Sequence, residues 1–169
     1  MVFFNVKYFI MPGSEQPIGI FDSGVGGLTV ASAIKQVLPN EQLIYFGDTA
    51  HLPYGDKSGE TITNYSKRIA DFLIHKNVKV ILIACNTASA VAYNELKQYL
   101  DEKILVINVI DPVVNYVSEY YSSAKLGVIG TKGTINSRMY EKKIEEKDNS
   151  IRVASLATPL FVPMIEEGF

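Results

Sequence analysis

Cys85 is the one cysteine among the 169 residues; it ends a near-continuous apolar run, Val78 to Ala84, and is followed by Asn86 and Thr87. A thiol does chemistry as far as it can ionise, and its usual pKa of about 8.5 falls at a helix N-terminus. A buried strand handing over to a helix would place the sulfur there. The spacing therefore predicts a lowered pKa and a favoured thiolate. Asn86 and Thr87 add side-chain and backbone donors suited to holding a carboxylate. The competing reading is an inert thiol, since free cysteine is among the most buried residue types.

Two other segments have the same form. One is Phe21-Asp22-Ser23-Gly24-Val25-Gly26-Gly27; the other is Gly47-Asp48-Thr49, continuing to Leu52-Pro53-Tyr54-Gly55. In open α/β sheets ligands bind just outside the carboxyl ends of the strands, where all three segments are expected. The glycines permit a tight strand-to-helix turn. They form no Gly-x-Gly-x-x-Gly pattern and precede no P-loop Lys-Ser/Thr, which argues against a nucleotide loop. Asp22 would repel phosphate and suits a substrate ammonium group or a proton relay. Asp48 reads as an orienting group or a loop cap. Tyr54 and Gly55 read as ligand contacts or as loop closure. His51 and His75 lack partners at metal-ligand spacing, so no metal site is expected.

The elements that must position these residues follow from periodicity. Short apolar runs alternate with amphipathic stretches, the pattern of an α/β fold with a mainly parallel sheet. Strands are expected at Pro17–Phe21, Gln42–Phe46, Val78–Ala84 and Ile104–Val109, with helices at Leu28–Leu38, Thr61–His75 and Ala88–Leu100. Asp111-Pro112 breaks the pattern, because the residue before proline disfavours helical geometry. A domain boundary is placed there. A first α/β domain is expected over residues 17–110 and a second, incomplete one over 111–169. The second opens with strand Leu126–Ile129, helix Ile135–Glu146 and strand Ile151–Ala157. Phe161 to Phe169 then reads as a helix stopped in mid-pattern.

Bulk properties narrow the function. A hydrophobic content of 47%, a charged content of 20% and a formal net charge of −2 describe an ordinary globular chain with no basic footprint for nucleic acid. One cysteine forms no internal disulfide, which suits a reducing, cytoplasmic setting. The apolar stretch Met1 to Met11 is too short to span a membrane and lacks a signal-peptide pattern. Residues 1–16 are taken as an N-terminal extension, disordered or loosely packed, with translation starting at Met1 or at Met11.

The motifs carry a resemblance. Pro17 through Val30 resembles the opening signature of glutamate racemases; Tyr45-Phe46-Gly47-Asp48-Thr49 with Pro53-Tyr54-Gly55 resembles their second motif, and Ala84-Cys85-Asn86-Thr87-Ala88-Ser89-Ala90 the first of their two cysteine motifs. Gly130-Thr131, Thr134 to Ser137 and Phe161 to Glu166 match in order. The resemblance implies two α/β domains with a site in the cleft between them, often as a homodimer. It also implies interconversion of L- and D-glutamate, without cofactor or metal, to supply D-glutamate for peptidoglycan. Cys85 would be the base acting on the D-enantiomer. Asp22, Ser23, Tyr54, Gly55, Asn86 and Thr87 would bind substrate, while Asp22, Asp48 and Glu166 would assist proton movement. Inversion needs a proton donor and an acceptor on opposite faces of the α-carbon. The family's second motif, Cys-Thr-His, does not occur in the 169 residues. The chain alone is accordingly expected to be inactive in racemisation. The alternatives are a related aspartate racemase and a non-catalytic ligand-binding fragment.

Overall fold

The computed structural model describes residues 15–101 and 104–169, apart from the side chain of Glu166. Of the extension assigned to 1–16, all but Glu15 and Gln16 lies outside the described residues. Strands β1 (Ile18–Asp22), β2 (Leu43–Gly47), β3 (Val80–Ile83) and β4 (Leu105–Asn108) form a parallel sheet in the order β2-β1-β3-β4. The chain winds to one side of β1 and then to the other, so the order reverses at β1 and β3. That crevice is where such sheets bind ligands.

Strand alternation divides the buried side chains between the two faces of the sheet. Ile18, Ile20, Val80 and Ala84 pack against Val30, Ala31 and Ile34 of α1 (Leu28–Val37). Phe21, Ile81 and Ile83 pack against Ile62, Ile69 and Leu73 of α2 (Gly59–His75), with Leu96 of α4 (Tyr93–Tyr99) in the same cluster. Each fully buried chain of this size contributes roughly 1.5–3 kcal/mol. The strand ends are therefore anchored from both faces. Helix α2 starts at Gly59, earlier than its periodicity indicates, because the Ser58 hydroxyl caps it by accepting from the Thr61 N–H at 3.2 Å.

Three sequence expectations need correction. The helix expected over Ala88–Leu100 is two, α3 (Asn86–Val91) and α4, divided at Ala92. The first begins at Asn86 because Cys85 is itself its cap. The helix expected over Ile135–Glu146 is also two, α6 (Lys132–Ser137) and α7 (Met139–Lys147), with Arg138 between them in a left-handed conformation (φ 54°). Ser137 causes the break. Its hydroxyl donates to the Thr134 carbonyl at 2.6 Å and accepts from the Met139 N–H at 3.2 Å, taking groups a continuous helix would use. Finally, Asp111-Pro112 lies inside the first turn of α5 (Ile110–Tyr120). Proline is tolerated there because the first N–H groups of a helix have no intrahelical partner. Asn108 Oδ1 accepts from the Ile110 and Asp111 N–H groups at 2.9 and 2.8 Å.

Beyond α5, β5 (Lys125–Gly130) and β6 (Arg152–Ala157) pair in parallel as a second sheet. Leu126 and Val153 turn toward a cluster of Ile110, Val114, Ile144 and Ile151. Ala90 of α3 joins that cluster, so the two halves of the chain share packing next to the cysteine. Helix α8 spans Phe161–Glu166.

Candidate active site

Cys85 stands where β3 gives way to α3, as its sequence position predicts, and is 5% exposed. Its Sγ accepts from the Ala88 N–H at 3.4 Å, and the thiol donates to Ser23 Oγ, also at 3.4 Å. The expected lowering of its pKa is overturned. Burial pushes the thiol up and the neighbouring Asp22 charge adds to this, while the bonds from Ser23 and Ala88 pull the other way and lose. Desolvation outweighs the short helix because the sulfur has little water left to stabilise its anion.

Asp22 ends β1 and is 6% exposed. Its Oδ2 accepts from the Gly27 N–H at 2.9 Å, the Gly24 N–H at 3.3 Å and the Tyr45 hydroxyl at 3.5 Å. The glycine turn thus wraps the carboxylate in backbone donors. At Gly27 close approach is required: an added Cβ would lie 2.7 Å from Asp22 Cβ and 2.9 Å from Ala84 Cβ. Burial first, and Asp22 second, drive the Tyr45 hydroxyl pKa upward, so it remains a donor.

Asp48 follows β2 and is 7% exposed, but it is not among the residues lining the cavity beside Cys85. Its Oδ2 accepts from the Tyr54 hydroxyl at 2.6 Å, and its Oδ1 lies 2.7 Å from His51 Nδ1. His51 in turn stacks on Tyr65 with ring centroids 4.2 Å apart. Tyr54 is 1% exposed, and burial together with Asp48 raises its pKa, keeping the phenol protonated. Asp48 therefore orients Tyr54, which does line the cavity.

Thr87 and Asn86 tie this half to α6 and α7. The Thr87 and Thr131 hydroxyls are 2.9 Å apart, and Thr134 completes a three-hydroxyl cluster at 3.4 and 3.1 Å. Asn86 Oδ1 accepts from the Tyr140 hydroxyl at 2.7 Å. Burial pushes the Tyr140 pKa up to about 12, which keeps it a donor. Gly55 sits so close to Thr131 that an added Cβ would lie 2.6 Å from Thr131 Cβ.

These groups enclose a cavity of about 340 Å³, whose lining includes Asp22, Ser23, Tyr54, Gly55, Cys85, Asn86 and Thr87. Of the sequence-predicted site residues, Asp48 supports the wall from behind, and the Glu166 side chain lies outside the described residues. Sequence reasoning assigned no role to Thr131, Lys132, Tyr45 or Tyr140. Thr131 and Tyr45 had a signal, since both fall in matched motifs; Lys132 and Tyr140 emerge only from the packing.

A family model described as Asp/Glu/Hydantoin racemase matches residues 27–167. Among the relatives is a glutamate racemase of Geobacter metallireducens, 52% identical over 90% of this chain and 56% of its own length. A solved glutamate racemase of Francisella tularensis, in complex with D-glutamate, superposes with a TM-score of 0.86 at 47% identity, covering 92% of this chain and 57% of that one. The structure of the Aquifex pyrophilus glutamate racemase gives 0.81 at 46% identity, covering 90% and 59%. The chain spans a little over half the length of the relatives it matches. Motifs and parallel sheet agree with these matches: the chain belongs to the Asp/Glu/Hydantoin racemase family.

Proposed function

We propose that this chain supplies the first-thiol half of a cofactor-independent glutamate racemase, in which Cys85 exchanges the α-proton of D-glutamate. The observation that carries this reading is Cys85 on the cavity wall, bonded to Ser23 and flanked by Asn86 and Thr87. In the resting site the thiol is protonated. The sulfur must first give up that proton to solvent, as the substrate ammonium group enters and offsets the Asp22 charge that opposes ionisation. The thiolate then takes the α-proton. Donors around the substrate carboxylate stabilise the developing carbanion. Asn86 and Thr87 fill that role, with Ser23, Tyr54 and Gly55 completing the contacts.

Net inversion needs a second proton carrier on the opposite face. The 169 residues hold no second cysteine, so racemisation belongs to a form that provides one. The same reading places units at 17–110 and 111–169, Glu166 as a proton-relay carboxylate, a homodimer in the cytoplasm, and D-glutamate for peptidoglycan as the product. The test is exchange of the α-proton of D-glutamate in deuterated water, followed by NMR. Exchange by the chain and its loss in Cys85→Ala are expected, with no net L-to-D conversion. Equal exchange in Cys85→Ala would refute the assignment.

A further inference from the structure

The cavity beside Cys85 is lined by three charged side chains among the described residues: Asp22, Asp56 and Lys132. Two are acidic. A dicarboxylate amino acid carries net negative charge at neutral pH, so entry into this cavity is opposed unless a cation meets it. Lys132 is the lining residue with that charge. It opens α6, which packs beside the turn at Tyr54–Asp56, and its Nζ lies 3.3 Å from Asp56 Oδ1. Both side chains are more than half exposed, so the pair is wet and exchangeable. Both residues also line a second hollow of about 680 Å³, where Lys57 adds another cation. The ion pair therefore stands on the border between the inner cavity and this outer hollow.

We infer that Lys132 is a charge-selecting residue at the mouth of the site: its ammonium exchanges Asp56 for the side-chain carboxylate of an incoming dicarboxylate substrate. This deepens the glutamate reading above and rests on it. The chemistry needs no ordered water and no change of protonation, only one carboxylate replacing another on the same ammonium. Asp56 holds the lysine over the opening when the site is empty and competes with the ligand. The two residues should consequently act in opposite directions.

The experiment is titration of the full chain with D-glutamate and with glutamine, which is neutral at the same end, read by calorimetry or NMR. Lys132→Gln should weaken D-glutamate binding about two- to fivefold, the range of an exposed ion pair, with little effect on glutamine. Lys132→Arg should restore the preference, and Asp56→Asn should tighten D-glutamate binding by a comparable factor. At ~0.5 M salt the differences should largely vanish. Lys132 is exposed, so circular dichroism serves to establish that the variants remain folded. An unchanged glutamate-to-glutamine ratio in Lys132→Gln, or weakening by Asp56→Asn, overturns the proposal while leaving the glutamate reading standing. Wild-type chain that binds neither amino acid sinks the functional reading, and this inference with it.

Discussion

The structure gives Asp48 a supporting role, and a double-mutant cycle with Tyr54 measures it. The two groups are almost fully buried and share a 2.6 Å hydrogen bond. A hydrogen bond to a charged partner contributes roughly 1.5–3 kcal/mol net, and a buried polar group left unpaired costs about 1–3 kcal/mol. Asp48→Ala strands the Tyr54 hydroxyl and removes the partner of His51. Tyr54→Phe leaves one carboxylate oxygen without its donor. Each single change should therefore destabilise the fold, and the double variant should cost less than the sum by about 1.5–3 kcal/mol. For a chain of this length 1 kcal/mol moves the Tm by roughly 2–4 °C, well within calorimetric resolution. Urea unfolding of the four proteins supplies the free energies. Additivity within about 0.5 kcal/mol would mean that Asp48 and Tyr54 act independently, and the positioning role would have to be abandoned.

Three further outcomes follow from the same geometry. Because burial raises the Cys85 pKa, the thiol stays protonated at neutral pH and the thiolate appears only as pH climbs. Alkylation by iodoacetamide should rise about tenfold per unit between roughly pH 7 and 9, and a plateau below about pH 8 would contradict the burial argument. Gly27→Ala should lose about 1–3 kcal/mol in urea unfolding, since the new methyl meets Asp22 and Ala84; an unchanged midpoint would show that the turn yields easily. Tyr140→Phe frees the Asn86 amide and should weaken D-glutamate binding two- to tenfold, about 0.5–1.5 kcal/mol, with stability nearly intact. Unaltered affinity in calorimetry would remove Tyr140 from the account.

The strands were legible because short, near-continuous apolar runs have few other uses. Val78 to Ala84 is an example, and its observed strand lies within it at Val80–Ile83. The helix breaks were not legible. At Ala92 and Arg138 no proline or glycine marks the change, and at Arg138 the cause is a serine hydroxyl redirected to the backbone, a choice settled by local geometry. Asp111-Pro112 misled for the opposite reason, as a real helix breaker placed at a helix start, where it breaks nothing. For the site, strand-end position was enough to gather Asp22, Ser23, Cys85, Asn86 and Thr87. Sequence spacing carried no information that α6 and α7 would fold back onto Thr87 and Asn86 through Thr131 and Tyr140.

The protonation of Cys85 shows why position and environment must be weighed separately. Strand-to-helix placement does deliver the Ala88 N–H to the sulfur. The same placement puts the sulfur under the glycine turn and beside a buried carboxylate, and these terms oppose ionisation. A sulfur poised as thiolate before substrate arrives would face Asp22 uncompensated. A thiol held neutral until an ammonium group enters avoids that repulsion and couples ionisation to binding. The raised pKa is therefore compatible with a base that is formed on demand, and it predicts that ligand binding should increase the thiolate fraction. The 240 nm absorbance of the chain, with Cys85→Ala as the blank, should grow as D-glutamate is added at about pH 8. No growth under saturating D-glutamate would leave Cys85 a proton donor and remove it as the base.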